Sequence, residues 1–336
     1  MSSTPEAPLL RVEHLRTVFA LSGGREAAAV DDVSFEIRRG ETLGLVGESG
    51  SGKSVTALSI MRLVNPPGRI AGGRIELEGR DLMALDESEL QRVRGRRIGF
   101  VFQEPMVALN PVYTIGFQIE ETLKVHGLAR GAAAKARAVE LLRAVRVPDP
   151  ERRAREYPHQ LSGGLRQRAM IALALTAEPS LLIADEPTTA LDVTVQAEIL
   201  DLLRQMRREF HLSLLLITHD LGVIAEMAER VAVMYGGRIV ELAPVAQLFD
   251  APAHPYTRGL LASIPGGEPG TRLTAIPGTV PALGQLGAGC AFAPRCPERF
   301  SPCEQRPPAL LPVTDVQEAR CYLYDSSVAA DRVSRT

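Results

Sequence analysis

Two short stretches hold the residue types that grip phosphate. GESGSGKS, residues 47 to 54, fits the pattern G-x-x-x-x-G-K-[ST] between an apolar run and a helical one. In that setting the loop N–H groups of Gly47, Ser49, Gly50, Ser51 and Gly52 cradle phosphates, Lys53 meets their charge, and Ser54 binds Mg²⁺. LSGGLRQR, residues 161 to 168, opens another apolar-periodic helix, which Ser162 can cap while Gly163 and Gly164 leave their N–H groups uncovered. One triphosphate needs one such cradle, so the second asks for its own explanation.

Acidic and polar residues extend the set. LLIADEP ends an apolar run in two carboxylates, Asp185 suited to a Mg²⁺ shell and Glu186 to polarising a water as general base. Gln103 closes IGFVFQ and His219 closes SLLLITHD. At the carboxyl ends of parallel strands, where ligands bind, both can face a γ-phosphate.

Placing these residues together takes a sheet. TLGLVG (42 to 47), IGFVFQ (98 to 103), LLIADE (181 to 186) and SLLLITHD (213 to 220) read as buried strands; SVTALSIMRLV, AKARAVELLRAV and VQAEILDLLRQMRREF read as helices. That alternation predicts an α/β domain with a mostly parallel sheet. RVEHLRTVF and VDDVSFEI alternate apolar and polar residues, as half-exposed antiparallel strands do. Residues 104 to about 165 carry only helical patterns, which predicts an inserted helical subdomain. Beyond residue 245 the composition shifts: residues 246 to 336 hold 12 of the 24 prolines and all four cysteines. The expected organisation is a nucleotide-binding domain over 1–245 and a loop-rich extension over 246–336.

The bulk numbers exclude some partners. With 336 residues, 45% of them hydrophobic and a net charge of −2, the chain reads as globular, with no general attraction to nucleic acid or anionic lipid. The basic run RVRGRR at 92 to 97 reads as a solvated helix end. MSSTPEAPLLRVE lacks the basic and apolar regions of a leader, and AMIALALTA and LSLLLI fall short of the ~18 residues of a membrane span. A soluble, cytosolic chain is expected.

In their order and spacing, GESGSGKS, Gln103, LSGGLRQR, LLIADEP, ALD at 190 to 192 and His219 resemble the nucleotide-binding subunit of an ABC transporter over residues 10 to 245. The resemblance implies a P-loop NTPase core with an antiparallel β subdomain, an inserted helical subdomain and, here, a small cysteine-containing C-terminal extension. It implies ATP hydrolysis, with Mg²⁺ held through Ser54, Gln103 and Asp185 and with Glu186, His219 and Gln103 in the reaction. In this family two subunits pack head to tail, each ATP lying between one Walker A loop and the other subunit's LSGG helix. The second cradle then serves the partner's ATP: Ser162, Gly163 and Gly164 act in trans, and Asp192 contacts the partner. Phe19 is implied against the adenine ring; a plain core phenylalanine is the other reading.

QEPMVALNP (103 to 111), ALDVTVQAEILDLL, HPYTRGLLASIP (254 to 265) and the tail resemble the oligopeptide/dipeptide importer branch, which also serves nickel and glutathione systems. That branch pairs D-type and F-type ATPases, and Leu165, where most ABC ATPases carry Gln, resembles the D type. The implied role is to energise an importer on the cytoplasmic face of the membrane. The implied partners are an F-type ATPase, two permeases and, indirectly, an extracytoplasmic solute-binding protein, with coupling helices received by the segment after Gln103. A soluble ABC ATPase acting on DNA or ribosomes is the alternative. Only 108 residues separate Lys53 from Ser162, too few for long heptad arms, and the chain holds one cassette rather than two.

Cys290, Cys296, Cys303 and Cys321 are spaced x5, x6 and x17. A reducing compartment favours a ligand set over disulfides, and the C-x2-C knuckles of structural zinc are missing. The tail GCAFAPRCPERFSPC…ARC resembles the one that carries a 4Fe-4S cluster in peptide-importer ATPases; zinc and unliganded thiols are the alternatives. Nothing in the sequence connects these cysteines to the ATP site, so a structural role is expected.

Overall fold

The computed structural model describes residues 7–264 and 276–328. The first six residues, read above as free of a leader, and Pro265, the last residue of HPYTRGLLASIP, lie outside them. The chain divides into two compact units, one drawn from residues 1–10, 37–42 and 76–217, the other from 11–36, 43–75 and 218–336.

In the first unit Ile98–Val101, Leu181–Asp185 and Ser213–Thr218 form a parallel ladder, with Ile98 opposite Leu181 and Leu181 opposite Ser213. Every residue of the three strands is buried, so they read as unbroken apolar runs rather than as alternation. Their ends are earlier than the apolar runs suggest. Ile98–Val101 stops two residues before Gln103, and Pro105 then opens the short helix Pro105–Ala108, a first-turn place where its missing N–H costs nothing. The segment expected to be helical holds Ile115–Val125, Gly131–Ala144 and Pro150–Arg153, followed by Gly163–Leu175. The basic run at 92 to 97 follows the helix Glu87–Val93, where Arg94 pairs with Glu87, as a solvated helix end does.

In the second unit Thr42–Val46 pairs in parallel with Arg230–Tyr235, which turns back through Gly236 and Gly237 into Arg238–Pro244. Both glycines have positive φ, +54° and +79°, which a tight two-residue hairpin turn requires. Glu26–Ile37, Leu10–Ala20 and Gly68–Leu77 neighbour one another in a separate sheet. Val33, Phe35 and Ile37 are buried in alternation there, and the strand begins at Glu26, earlier than the alternating pattern does. The C-terminal residues extend the first of these sheets: Glu241 pairs with Ala319, and Ala319 with Leu311. Among the described residues no helix is long and apolar enough to cross a membrane.

Candidate nucleotide-binding site

The buried strand Thr42–Val46 delivers Gly47, and the chain curves through Gly52 into the helix Lys53–Ile60. At Gly47 a Cβ would stand 2.2 Å from the Met234 carbonyl oxygen, and at Gly52 one would stand 2.5 Å from that of Ala29. Both have positive φ, so close approach and backbone conformation each demand glycine. Gly50, at φ +78°, has no neighbouring atom within 4 Å of where its Cβ would be, so it is the left-handed backbone that favours glycine there. Lys53 is 5% exposed, and its Nζ donates to the carbonyls of Gly47 at 2.8 Å and Glu48 at 3.1 Å. The ammonium is thereby held inside the curve of the loop. Ser51 Oγ is buried without a hydrogen-bond partner, and Ser54 is half-buried in the first turn. A cradle, a cation and two hydroxyls fit a phosphate chain with its Mg²⁺.

In the other unit Asp185 ends its strand at 6% exposure. Glu186 leaves the strand with φ +46°, a left-handed conformation uncommon for a residue with a long side chain, while its N–H still donates to the Ile217 carbonyl at 2.9 Å. Its Oε2 accepts from Thr189 Oγ1 at 2.7 Å and from Gln103 Nε2 at 3.3 Å. Folding thus joins Gln103 to Glu186 across 83 residues of sequence, and Gln103 reaches it from an exposed loop rather than from a strand end. His219 belongs to the unit of the phosphate loop and also lies past its strand, which stops at Thr218: the Asp220 N–H donates to Thr218 Oγ1, and the Asp220 carboxylate caps the helix Leu221–Met227.

The helix Gly163–Leu175 starts with exposed Ser162 and Gly163, and Ser162 Oγ accepts from the Leu165 N–H at 3.4 Å. A Cβ on Gly164 would stand 2.9 Å from Val195 Cγ1, so a glycine there lets this helix pack on Val193–Glu209. Asp192 caps that second helix by accepting from the Val195 N–H at 3.0 Å.

The family model described as ABC transporter matches residues 30–189, and that of the oligopeptide/dipeptide transporter C-terminal region matches residues 240–303. A protein of Brucella abortus (strain 2308), named as a peptide import ATP-binding protein, is 53% identical over 336 residues, 96% of this chain and 99% of its own length. This chain belongs to the ABC transporter ATP-binding family. A protein of the same description from Brucella melitensis biotype 1 is 51% identical over 320 residues, 95% of this chain and 96% of that one. Among solved structures, the ATP-binding cassette MJ0796, dimeric in a post-hydrolysis state with ADP and Pi, aligns with a TM-score of 0.63 at 30% identity, over 70% of this chain and 98% of that one. The protein cbiO1 from Clostridium perfringens, part of the ABC transporter complex cbiONQ, aligns with a TM-score of 0.62 at 26% identity, over 73% and 92%. The P-loop α/β fold expected of the core is the fold of these cassettes.

In this ABC ATPase the C-terminal region reaches the phosphate loop, a contact that no motif announced. Arg295 Nη1 donates to both carboxylate oxygens of Glu48, at 3.0 and 3.1 Å, with the arginine side chain only 6% exposed. Tyr256, from the HPYT stretch, accepts the Glu48 N–H on its hydroxyl at 2.9 Å, and its ring packs against Tyr235 and Phe292. The sequence signals were the HPYT segment and an arginine beside Cys296, both quoted above without a role at the loop. His254 caps the helix Pro255–Ala262; complete burial pushes its pKa down to about 3, so it is neutral and its Nδ1 accepts from the Tyr256 N–H.

All four cysteines, together with His254 and Phe292, line one small cavity. Burial raises the thiols of Cys290, Cys296 and Cys321, Cys296 to about 11 and Cys321 to about 12. Among the described residues no group of three or more His, Cys, Asp or Glu is placed to hold a metal ion. Arg295, adjacent to Cys296, bonds Glu48 of the phosphate loop, a neighbour that the sequence did not indicate.

Proposed function

We propose that this chain hydrolyses ATP to energise a membrane importer of oligopeptides or dipeptides. The observation that carries the reading is the joining of an ATP cassette to the oligopeptide/dipeptide C-terminal region in one chain, which peptide-import relatives share over nearly their whole length. The domain reading of 1–245 and 246–336 is kept within it. Walker A residues Gly47, Ser49, Gly50, Ser51, Gly52 and Lys53 bind the phosphates, and Phe19 meets the adenine. Ser54, Gln103 and Asp185 hold Mg²⁺, which screens the charge on the phosphates. Glu186 takes a proton from the attacking water, with Gln103 orienting the carboxylate through the bond between their side chains, and His219 acts at the γ-phosphate. Ser162, Gly163, Gly164 and Asp192 serve the partner's ATP. The partners are an F-type ATPase and two permeases, supplied by an extracytoplasmic binding protein, and the chain acts from the cytoplasmic face of the membrane.

The four cysteines are proposed to hold a 4Fe-4S cluster. The reading rests on the resemblance of the tail to the one that carries such a cluster in peptide-importer ATPases, and all four thiols line one cavity. Anaerobically purified protein should be brown and carry about four irons per chain; colourless protein with one zinc would replace the cluster by the alternative.

The function is tested by Glu186→Gln in the assembled transporter. ATP should still bind, while turnover and peptide uptake fall on the order of a hundredfold or more. Near-normal uptake would refute the assignment, and ATP-dependent uptake of nickel or glutathione in place of peptides would move it to those solutes.

A further inference from the structure

A pocket of about 350 Å³ opens beside the phosphate loop, a size within the usual range for small-molecule sites. Ser49 and Gly50 line its phosphate end, and Phe19 lends it an aromatic ring. The rest of its apolar lining includes Pro281, Leu283 and Leu286, residues of the C-terminal extension rather than of the cassette.

This stretch is tied down along its length. Arg295, the residue that grips Glu48, also donates from Nε to the Pro277 carbonyl at 2.8 Å and from Nη2 to that of Ile276 at 3.4 Å. In the middle, Gly284 has φ +84° and lies so close to the cassette that a Cβ would stand 2.7 Å from Leu21 Cδ1. At the far end Leu286 packs over the Gly236 turn, where an added Cβ would come within 3.3 Å of its Cδ2. Between two such anchors Leu283 remains 41% exposed beside the pocket. A large aliphatic side chain in partial contact with water, next to a phosphate cradle, is what a flat aromatic base would cover.

We infer that Val280–Leu286 is part of the nucleobase site: a purine nucleotide held by its phosphates at Gly50 and Lys53 has its base enclosed by Phe19 from the cassette together with Pro281 and Leu283 from the extension. The inference rests on the ATP-binding reading and adds a base-recognition element to it. One guanidinium, Arg295, then sets both ends of the ligand, through Glu48 at the phosphate loop and through residues 276 and 277 at the base wall.

The test separates base from phosphate. In the full chain carrying Glu186→Gln, so that ATP persists, Leu283→Asp and Leu283→Met are compared by calorimetric titration with MgATP and with Mg-tripolyphosphate, which has no base. Leu283→Asp should weaken MgATP about five- to tenfold, the value of a buried aliphatic contact, and leave tripolyphosphate unchanged. Leu283→Met should bind as the parent does, and because Leu283 is partly exposed both variants should melt with the parent. Unchanged MgATP affinity in Leu283→Asp would overturn the inference. So would an equal loss for both ligands, which would make the segment a support for the phosphate loop alone. A failure of the ATP-binding reading itself would appear elsewhere, as a Lys53→Ala variant that binds MgATP normally.

Discussion

Two helix N-termini in this chain carry the same ingredients, glycines beside serine hydroxyls, and are finished in opposite ways. The helix Lys53–Ile60 has Gly52 at its cap, left-handed and with no side chain to cap the helix. A buried lysine sits in the same curve. The helix Gly163–Leu175 is capped by its own Ser162, begins exposed, and has no acidic residue in its first turn, while Arg166 there turns back to donate to the Pro158 carbonyl at 2.8 Å. Donors with a buried cation can hold a triphosphate unaided, whereas donors alone contribute only the modest attraction of a helix end. The second end is therefore suited to completing a site that another loop already fills, which is what head-to-tail pairing requires.

Breaking the first end should have the largest effect. Lys53→Ala should weaken ATP binding on the order of a hundredfold, since a bond from a buried charge to phosphate is lost. Equilibrium binding of a non-hydrolysable ATP analogue measures it, and unchanged affinity would remove the distinction between the two ends.

Ser162→Arg should do something different in kind. Binding of ATP to this chain's own loop should stay normal, while turnover of the assembled ATPase pair falls about tenfold through obstruction of the partner's site. Photolabelling each subunit alongside turnover separates the two effects. Full-rate hydrolysis by the isolated monomer would show that the second end has no role in trans.

The smallest change sharpens the first end's dependence on the extension. Arg295→Ala removes the brace on Glu48 and should lower ATP affinity about fivefold, as expected for a largely enclosed ion pair at the edge of a site. Ser162→Arg provides the internal control, because it leaves that brace untouched. Equal ATP affinity with and without the Arg295 side chain would confine the extension to a structural part.

Much of the site is legible in the sequence because its chemistry is local. The glycines at 47 and 52, Lys53 and the capping Ser162 act through their own backbone or the turn next to them, so type and spacing are enough to assign them. The strands were equally readable, since full burial leaves an unbroken apolar run, but their last residues were not. Gln103, Glu186 and His219 each lie beyond the strand proper, among a helix-opening proline, a left-handed turn and a capping aspartate.

What sequence alone determined was the local shape of each glycine loop and the helix that follows it, because these are contiguous and obey short-range rules. What only the tertiary structure decided was everything that joins distant residues. The pairing of Gln103 with Glu186 spans 83 residues and that of Arg295 with Glu48 spans 247. The gathering of four irregularly spaced cysteines about one cavity belongs to the same class. Such contacts depend on how buried strands and glycine turns bring chain segments past one another, and an isolated glutamate, arginine or leucine in a sequence carries no mark of the neighbour that folding will supply.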